Sequence, residues 1–302
     1  RVNKLPIFVL GGGSNVLFSD QGFLGIVVKM ENKGIMVKED DREEKNDYIF
    51  VKAEAGECWD DFVSFTIKHG LFGLENLSGI PGTVGASPIQ NIGAYGVEVK
   101  EYIYSVEVFD TRKGEIITLL NNECEFGYRD SLFKKKENKY LIITGVTFKL
   151  NKIPRPRIDY KDLKVYFENK KDIKPQDIRD AVLEIRAKKF PDLNTHGTAG
   201  SFFKNVICDK TTADKLLSLY PDIPVFNAEN NMMKIGAAYI LDKVCGLKNY
   251  REGNVGLFEN QSLVLVNYGG ATTNEIKNFV LKIKDIVREK TGIELKEEVV
   301  LA

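Results

Sequence analysis

Few places in this chain can hold chemistry. Only His69 and His196 are present, and the four cysteines, Cys58, Cys124, Cys208 and Cys245, are scattered without C-x-x-C spacing. No metal cluster can be assembled from such a set, and the thiols read as reduced core residues. Glycine is the more informative residue. From Gly79 to Gly96 the chain reads Gly-Ile-Pro-Gly-Thr-Val-Gly-Ala-Ser-Pro-Ile-Gln-Asn-Ile-Gly-Ala-Tyr-Gly, with Ile80, Val84, Ile89, Ile92 and Tyr95 interleaved. That pattern suits backbone held close to something flat or charged, and equally a well-packed, turn-rich loop. A second cluster is Gly11-Gly12-Gly13-Ser14-Asn15. Its consecutive N–H groups can form an anion-binding concavity for a diphosphate, with Ser14 and Asn15 as side-chain donors; a hairpin turn is the competing reading. The dinucleotide fingerprint fails here, because the third glycine of G-x-G-x-x-G would fall on Val16 and no long helix follows. Three polar groups complete the inventory: Arg129 in Glu125–Ser131, Ser201 in Thr195–Asn205, and Glu294, Glu297 and Glu298 near the chain end. Each alone is an ordinary surface feature.

The elements that must position these residues follow from apolar periodicity. Residues 5–10 read as a buried strand, and Val16–Phe18 resumes the pattern after the glycine turn. Short strands are expected at 25–29, 34–38 and 48–54, with the charged tract Lys38–Asp47 as a solvated hairpin tip. Trp59, Phe62, Val63 and Ile67 share one helical face between Cys58 and His69, and Gly70 stops that helix just before the glycine-rich loop. Strands at 102–109 and 115–120 bracket the turn Thr111–Gly114, and another is expected at 140–150. Pro175 opens an amphipathic helix running to Lys189. Short helices at 211–220 and 236–244 precede a strand at 261–267. Thr272-Thr-Asn-Glu275 is a capping box for a final helix ended by Gly292, after which a strand is expected at 293–299. At 302 residues the chain is long enough for two or three subdomains, and its 43 basic residues balance 43 acidic ones. That balance disfavours nucleic acid and anionic membrane as partners and favours a small molecule. No stretch reaches the ~20 apolar residues of a membrane span.

The wording of five segments sharpens the choice. Asn76-Leu-Ser-Gly-Ile-Pro-Gly82 with Gly85–Gly96, Gly11–Asn15, Phe126–Ser131, Gly200–Asn205 and Leu295–Val299 together resemble, in order, the UDP-N-acetylenolpyruvoylglucosamine reductase (MurB) family. The resemblance covers nearly all of the chain. It implies an α+β fold: a two-part FAD-binding domain of the vanillyl-alcohol-oxidase (PCMH) type over residues 1–190, to which 293–302 return, and a smaller α+β domain for the UDP-sugar over 191–292. It implies FAD and NADPH as cofactors, a monomeric cytoplasmic enzyme of peptidoglycan synthesis, and hydride transfer to an enolpyruvyl ether. Charge that develops beside the substrate carboxylate must then meet fixed donors. By motif, Arg129 and Glu298 take that role and Ser201 protonates the other carbon, with Lys189 and Arg186 as candidates for polarising it. The flavin contacts implied are Gly11, Gly12, Gly13, Ser14, Asn15, Pro81, Gly82, Gly85, Gln90, Asn91, Ile92, Gly93, Ala94 and Tyr95. The UDP-sugar contacts implied are Tyr160, Lys189, Asn205, Lys248 and Gln261.

Some features depart from the family's pattern. Relatives carry more residues ahead of the Gly11 turn, so part of the flavin domain is expected to be missing from a segment that begins with Arg1. Phe226 stands where some members place a loop tyrosine, and Val300 where an arginine occurs. Two alternatives remain at this point: another flavin oxidoreductase of the same fold, and a flavin- or nucleotide-binding module without turnover.

Overall fold

The computed structural model describes residues 5–38 and 47–302. The interior of the charged tract at 38–47 and the Arg1 end lie outside them. The chain divides into two compact units, Arg1–Gly13 with Leu24–Arg186, and Ser14–Phe23 with Ala187–Ala302. This differs from the expected division, because residues 293–302 group with the second unit.

In the first unit β1 (Ile7–Leu10) pairs in parallel with β3 (Ile26–Lys29), Ile7 opposite Ile26. The intervening β2 (Val16–Leu17) belongs to the second unit, so the hairpin reading of residues 5–18 is not realised. Nor is β1 buried: Ile7 and Val9 are 51% and 36% exposed. A run of apolar residues marks a strand without saying which strand lies beside it, and parallel pairing is made across a crossover rather than a tight turn. The larger sheet is antiparallel throughout. Its order is β4 (Ile35–Lys38), β5 (Tyr48–Glu54), β10 (Leu141–Asn151), β8 (Ile103–Asp110) and β9 (Glu115–Leu120). Ile49, Val51 and Ala53 alternate inward from β5, as period two requires. They meet α1 (Trp59–Lys68), which buries Trp59, Phe62, Val63 and Thr66, carries Asp60 and Asp61 in its first turn, and ends before Gly70 at φ +71°. The glycine-rich loop follows, and closes in a two-residue hairpin of β6 (Gly93–Ala94) and β7 (Val97–Glu98). Leu163 of α2 (Lys161–Tyr166) and Ile178, Ala181 and Val182 of α3 (Pro175–Lys189) form a small core with Tyr95 of that loop.

The second unit holds two three-stranded antiparallel sheets. One orders β11 (Val206–Cys208), β13 (Met233–Ile235) and β12 (Val225–Asn227); the other orders β14 (Arg251–Glu252), β15 (Val255–Phe258) and β16 (Gln261–Asn267). Most of these strands have two to four residues, too few for periodicity to register in the sequence. α4 (Lys210–Leu219) is capped by Asp209, and the short helix expected at 236–244 forms as α5 (Ala237–Tyr239) running on as a π-helical turn through Val244. α6 (Thr273–Thr291) has its capping box, with Thr272 N–H on Glu275 Oε2 at 2.7 Å and Glu275 N–H on Thr272 Oγ1 at 3.2 Å. Its Ile276, Phe279, Val280, Ile283 and Val287 enter one core with Leu295 and Val299. The expected strand at 293–299 does not form. The strand is β17 (Val300–Leu301), parallel to β2, while 296–298 bond singly to residues 202–204.

Candidate active site

The glycine-rich loop is fastened to the first unit at short intervals. Gly82 O accepts from Trp59 N–H at 3.1 Å, and Val84 and Gly85 N–H donate to Glu57 O and Ala55 O, both at 2.9 Å. At the loop's start the Gly79 peptide is held on both sides: its N–H donates to Asp60 Oδ1 at 2.6 Å, and its carbonyl accepts from Arg186 Nε at 3.0 Å. Asp60 takes a bidentate pair from Arg179 at 2.6 and 2.7 Å. Burial pushes the Asp60 carboxyl up, but the bonds from Arg179 and Gly79 outweigh it and hold the group below its ordinary value. Burial draws the Arg186 guanidinium down and lifts the Tyr95 hydroxyl beside it to about 12. Arg186, a candidate for polarising Ser201, makes these contacts to Gly79 and Tyr95 within the first unit.

The middle of the loop meets the Gly11–Gly13 turn. A Cβ on Gly12 would stand 2.8 Å from Gly82 Cα, and one on Gly11 2.7 Å from Thr83 Oγ1. Both are closer than side-chain carbons come, so glycine alone permits the approach. Thr83 Oγ1 is buried there without a hydrogen-bond partner. Such a group costs about 1–3 kcal/mol when left unpaired. A hydroxyl lacking an acceptor, beside two bare stretches of backbone, fits an anionic oxygen such as the diphosphate of the expected FAD. Gly11, Gly12, Gly82 and Thr83 are therefore the residues that would hold it. Thr83 was not among the expected contacts; its only signal in the sequence was a hydroxyl set between Gly82 and Gly85.

Arg129 sits at φ +52°, in a turn closed by paired bonds between Gly127 and Asp130 at 3.0 and 3.3 Å. Its guanidinium donates to Gly93 O at 2.6 Å and Asn91 O at 3.3 Å. The glycine-rich loop and the expected catalytic arginine are thereby one structure. Asn91 is fully buried at φ +45°. Its Nδ2 donates to Glu98 Oε2 and Gly127 O, both at 2.9 Å, and its Oδ1 accepts from Lys100 N–H at 3.0 Å. The side-chain amide of Asn91 thus makes its hydrogen bonds within the protein. Ser131 Oγ donates to Ile89 O at 2.6 Å and Asn76 Nδ2 to Tyr95 O at 2.9 Å, securing the rest of the loop.

In the second unit Ser201 and Glu298 are joined through one residue. Ser201 bridges Val264, Phe202 N–H donates to Leu263 O at 2.7 Å, and Glu298 N–H donates to Phe202 O at 2.8 Å. Gly200, at φ +77°, turns the chain into this segment. Asn15 joins the same assembly: its Nδ2 donates to Glu298 O at 3.3 Å and its carbonyl accepts from Val300 N–H at 3.1 Å. The division between units falls between Gly13 and Ser14, so Asn15 belongs to the second unit, where it spends a side-chain donor on the Glu298 segment. Asn205 Oδ1 accepts from Ala237 N–H at the start of α5 at 3.1 Å. Gln261 opens β16, Lys248 is exposed, and Lys189 ends α3. Tyr160 lies in the first unit, edge-on to Tyr95 at 5.5 Å, apart in the chain from the other expected UDP-sugar contacts. Phe226 is on β12 with its ring exposed. Among the described residues no group of His, Cys, Asp and Glu is placed to hold a metal, and all four cysteines are unpaired.

Comparison with known proteins places this geometry. Residues 1–120 match the family described as FAD binding domain, and residues 192–302 match the C-terminal domain of UDP-N-acetylenolpyruvoylglucosamine reductase. The reductase of that name from Bdellovibrio bacteriovorus is 43% identical over 299 residues, covering 99% of this chain and 87% of the relative. The one from Chromobacterium violaceum is 43% identical over 296 residues, covering 97% and 85%. The crystal structure of the reductase from Thermus caldophilus is similar in fold, with a TM-score of 0.63 at 24% identity over 99% of this chain and 86% of that one.

Proposed function

The chain belongs to the UDP-N-acetylenolpyruvoylglucosamine reductase (MurB) family, and on that premise we propose that it reduces the enolpyruvyl ether of UDP-N-acetylglucosamine to UDP-N-acetylmuramate for peptidoglycan synthesis, with FAD and NADPH. The fold is the α+β arrangement of a PCMH-type FAD domain and a smaller C-terminal domain. One observation carries the reading to this chain's own residues. Gly11 and Gly12 are pressed against Gly82 and Thr83 with the Thr83 hydroxyl unpaired, as an anionic flavin tail requires.

Bound FAD supplies the hydride relay from NADPH to the enolpyruvyl methylene. Arg129 offers a guanidinium already fixed by two loop carbonyls, so it meets charge developing at the substrate carboxylate without reorganising. Glu298 flanks the same carboxylate. Ser201, carried on a segment tied to β16 and to Glu298, gives its hydroxyl proton to the carbon bearing the ether oxygen. Lys189, Asn205, Lys248, Gln261 and Tyr160 bind the diphosphate and sugar. We also propose a monomer acting in the cytoplasm; among the described residues no helix is long and apolar enough to cross a membrane. The test is a visible spectrum with NADPH oxidation followed with and without the enolpyruvyl substrate. Flavin absorbance bleached by NADPH and restored by substrate supports the proposal. A protein that cannot be loaded with FAD, or whose reduced flavin ignores the substrate, refutes it.

A further inference from the structure

Arg129 is held by two different kinds of contact, and a single residue contributes to both. The turn that carries Arg129 is short, and its shape rests on the Gly127–Asp130 pair. Asn91 Nδ2 donates to Gly127 O at 2.9 Å, which fixes where that turn stands. The main-chain carbonyl of Asn91 accepts from the Arg129 guanidinium at 3.3 Å, and two residues on Gly93 O accepts from it at 2.6 Å. Asn91 itself holds a left-handed conformation at φ +45° as the chain turns between these two carbonyls. Asparagine tolerates that region better than other side chains of its size. Glu98 Oε2 takes the remaining amide hydrogen at 2.9 Å, Lys100 N–H caps the amide oxygen at 3.0 Å, and Lys100 Nζ pairs with Glu98 at 3.4 Å. With the side chain fully buried, the cost of leaving any of these bonds unmade keeps the amide in place.

We infer that Asn91 is a positioning residue for Arg129, setting both the turn that bears it and the direction of its guanidinium. The inference rests on the role proposed for Arg129. It assigns Asn91 to the half-reaction with the enolpyruvyl substrate, and takes its side chain out of flavin contact. Misplacing a charged donor by as little as 1 Å can cost about 10²-fold in rate.

Asn91→Gly isolates this device, because glycine keeps the left-handed backbone and the carbonyl while deleting the amide. Three measurements on the FAD-loaded protein follow. FAD retention and the rate of flavin bleaching by NADPH should change by less than about threefold, since the amide's hydrogen bonds all go to protein groups. Reoxidation by the enolpyruvyl substrate should slow by about 10–100-fold. In a double-mutant cycle, Asn91→Gly on an Arg129→Lys background should add less than about threefold, because the positioned guanidinium is already gone. Glu98→Gln, which keeps an acceptor for the Asn91 amide, should stay near wild type. Where Asn91→Gly does not fold, Asn91→Asp serves: it keeps the volume and the left-handed preference but cannot donate to Gly127 O, and the same slow reoxidation is expected. Side-chain ¹⁵N relaxation of Arg129 gives a readout independent of turnover, and its order should fall in either variant. Reoxidation at wild-type speed with unchanged Arg129 order overturns the inference, as do fully additive effects in the cycle. Loss of FAD from Asn91→Gly returns Asn91 to flavin binding and overturns it as well. Failure of the wild type to be reoxidised by substrate refutes the functional proposal instead, and the relaxation measurement then decides the positioning role by itself.

Discussion

Gly12→Ala probes the contact on which the cofactor site rests. Gly12 is not among the residues at positive φ, so alanine meets no backbone strain there and the whole effect is steric. The added Cβ would lie 2.8 Å from Gly82 Cα and 3.3 Å from Gly82 C. Ordinary carbon contacts begin near ~3.5 Å, and both obstacles are main chain, so the two glycine segments must part by somewhat less than about 1 Å. Overpacking of this kind costs about 1–3 kcal/mol, which lowers Tm by roughly 2–12 °C for a domain of this size. The parted segments no longer present the Thr83 hydroxyl and the Gly11–Gly12 backbone to one anion together. Losing one charge-assisted hydrogen bond, about 1.5–3 kcal/mol, raises the Kd for FAD about 10- to 100-fold. The assay is fluorescence titration of deflavinated protein with FAD, beside a thermal melt. Gly114→Ala is the control: at φ +74° with nothing within 4 Å of its Cβ position, it costs about 1–2 kcal/mol through backbone conformation alone, with FAD affinity unchanged. If Gly12→Ala bound FAD as wild type does and melted no lower than Gly114→Ala, the two-sided cradle would be the wrong description of this site.

Three further outcomes are expected. Ser201→Ala should leave flavin bleaching by NADPH intact and slow reoxidation by the enolpyruvyl substrate by about 10²–10⁴-fold, with partial recovery in Ser201→Cys; rapid mixing of the prereduced variant with substrate reads this, and wild-type speed would assign the proton to another group. Glu298→Gln should slow the same half-reaction by about 10²–10³-fold, and equal slowing of NADPH oxidation without substrate would show that Glu298 serves the flavin instead. Burial lifts Tyr95 from 10 to about 12, so the stability it contributes is complete below pH 10 and is lost as pH rises from 10 through 12. Urea midpoints at pH 9 and pH 11.5 should therefore converge in Tyr95→Phe relative to wild type, and an unchanged difference would mean that Tyr95 ionises freely in the folded protein.

Much of this was legible in the residues alone. α1, α6 and the strands at 48–54, 103–110, 115–120 and 141–151 were readable because their apolar periods are long, and because caps and stops such as Thr272–Glu275, Gly70 and Gly292 act within a few residues of the element they end. The order of the five motifs was likewise enough to identify the family. Other features depend on residues far apart in the chain, which no local pattern encodes. The parallel pairings β1–β3 and β17–β2, and the division between Gly13 and Ser14, join or separate segments that the sequence order does not pair. The unpaired Thr83 hydroxyl exists only because the Gly11 and Gly82 segments meet. Asn91 reads in sequence as a polar residue free to touch a ligand, and in the fold its amide is spent on Glu98, Lys100 and the turn that carries Arg129. Residue type sets what a side chain can bond. Which partner it bonds is decided by the groups that the closed fold buries beside it, where leaving a donor unpaired costs more than placing it.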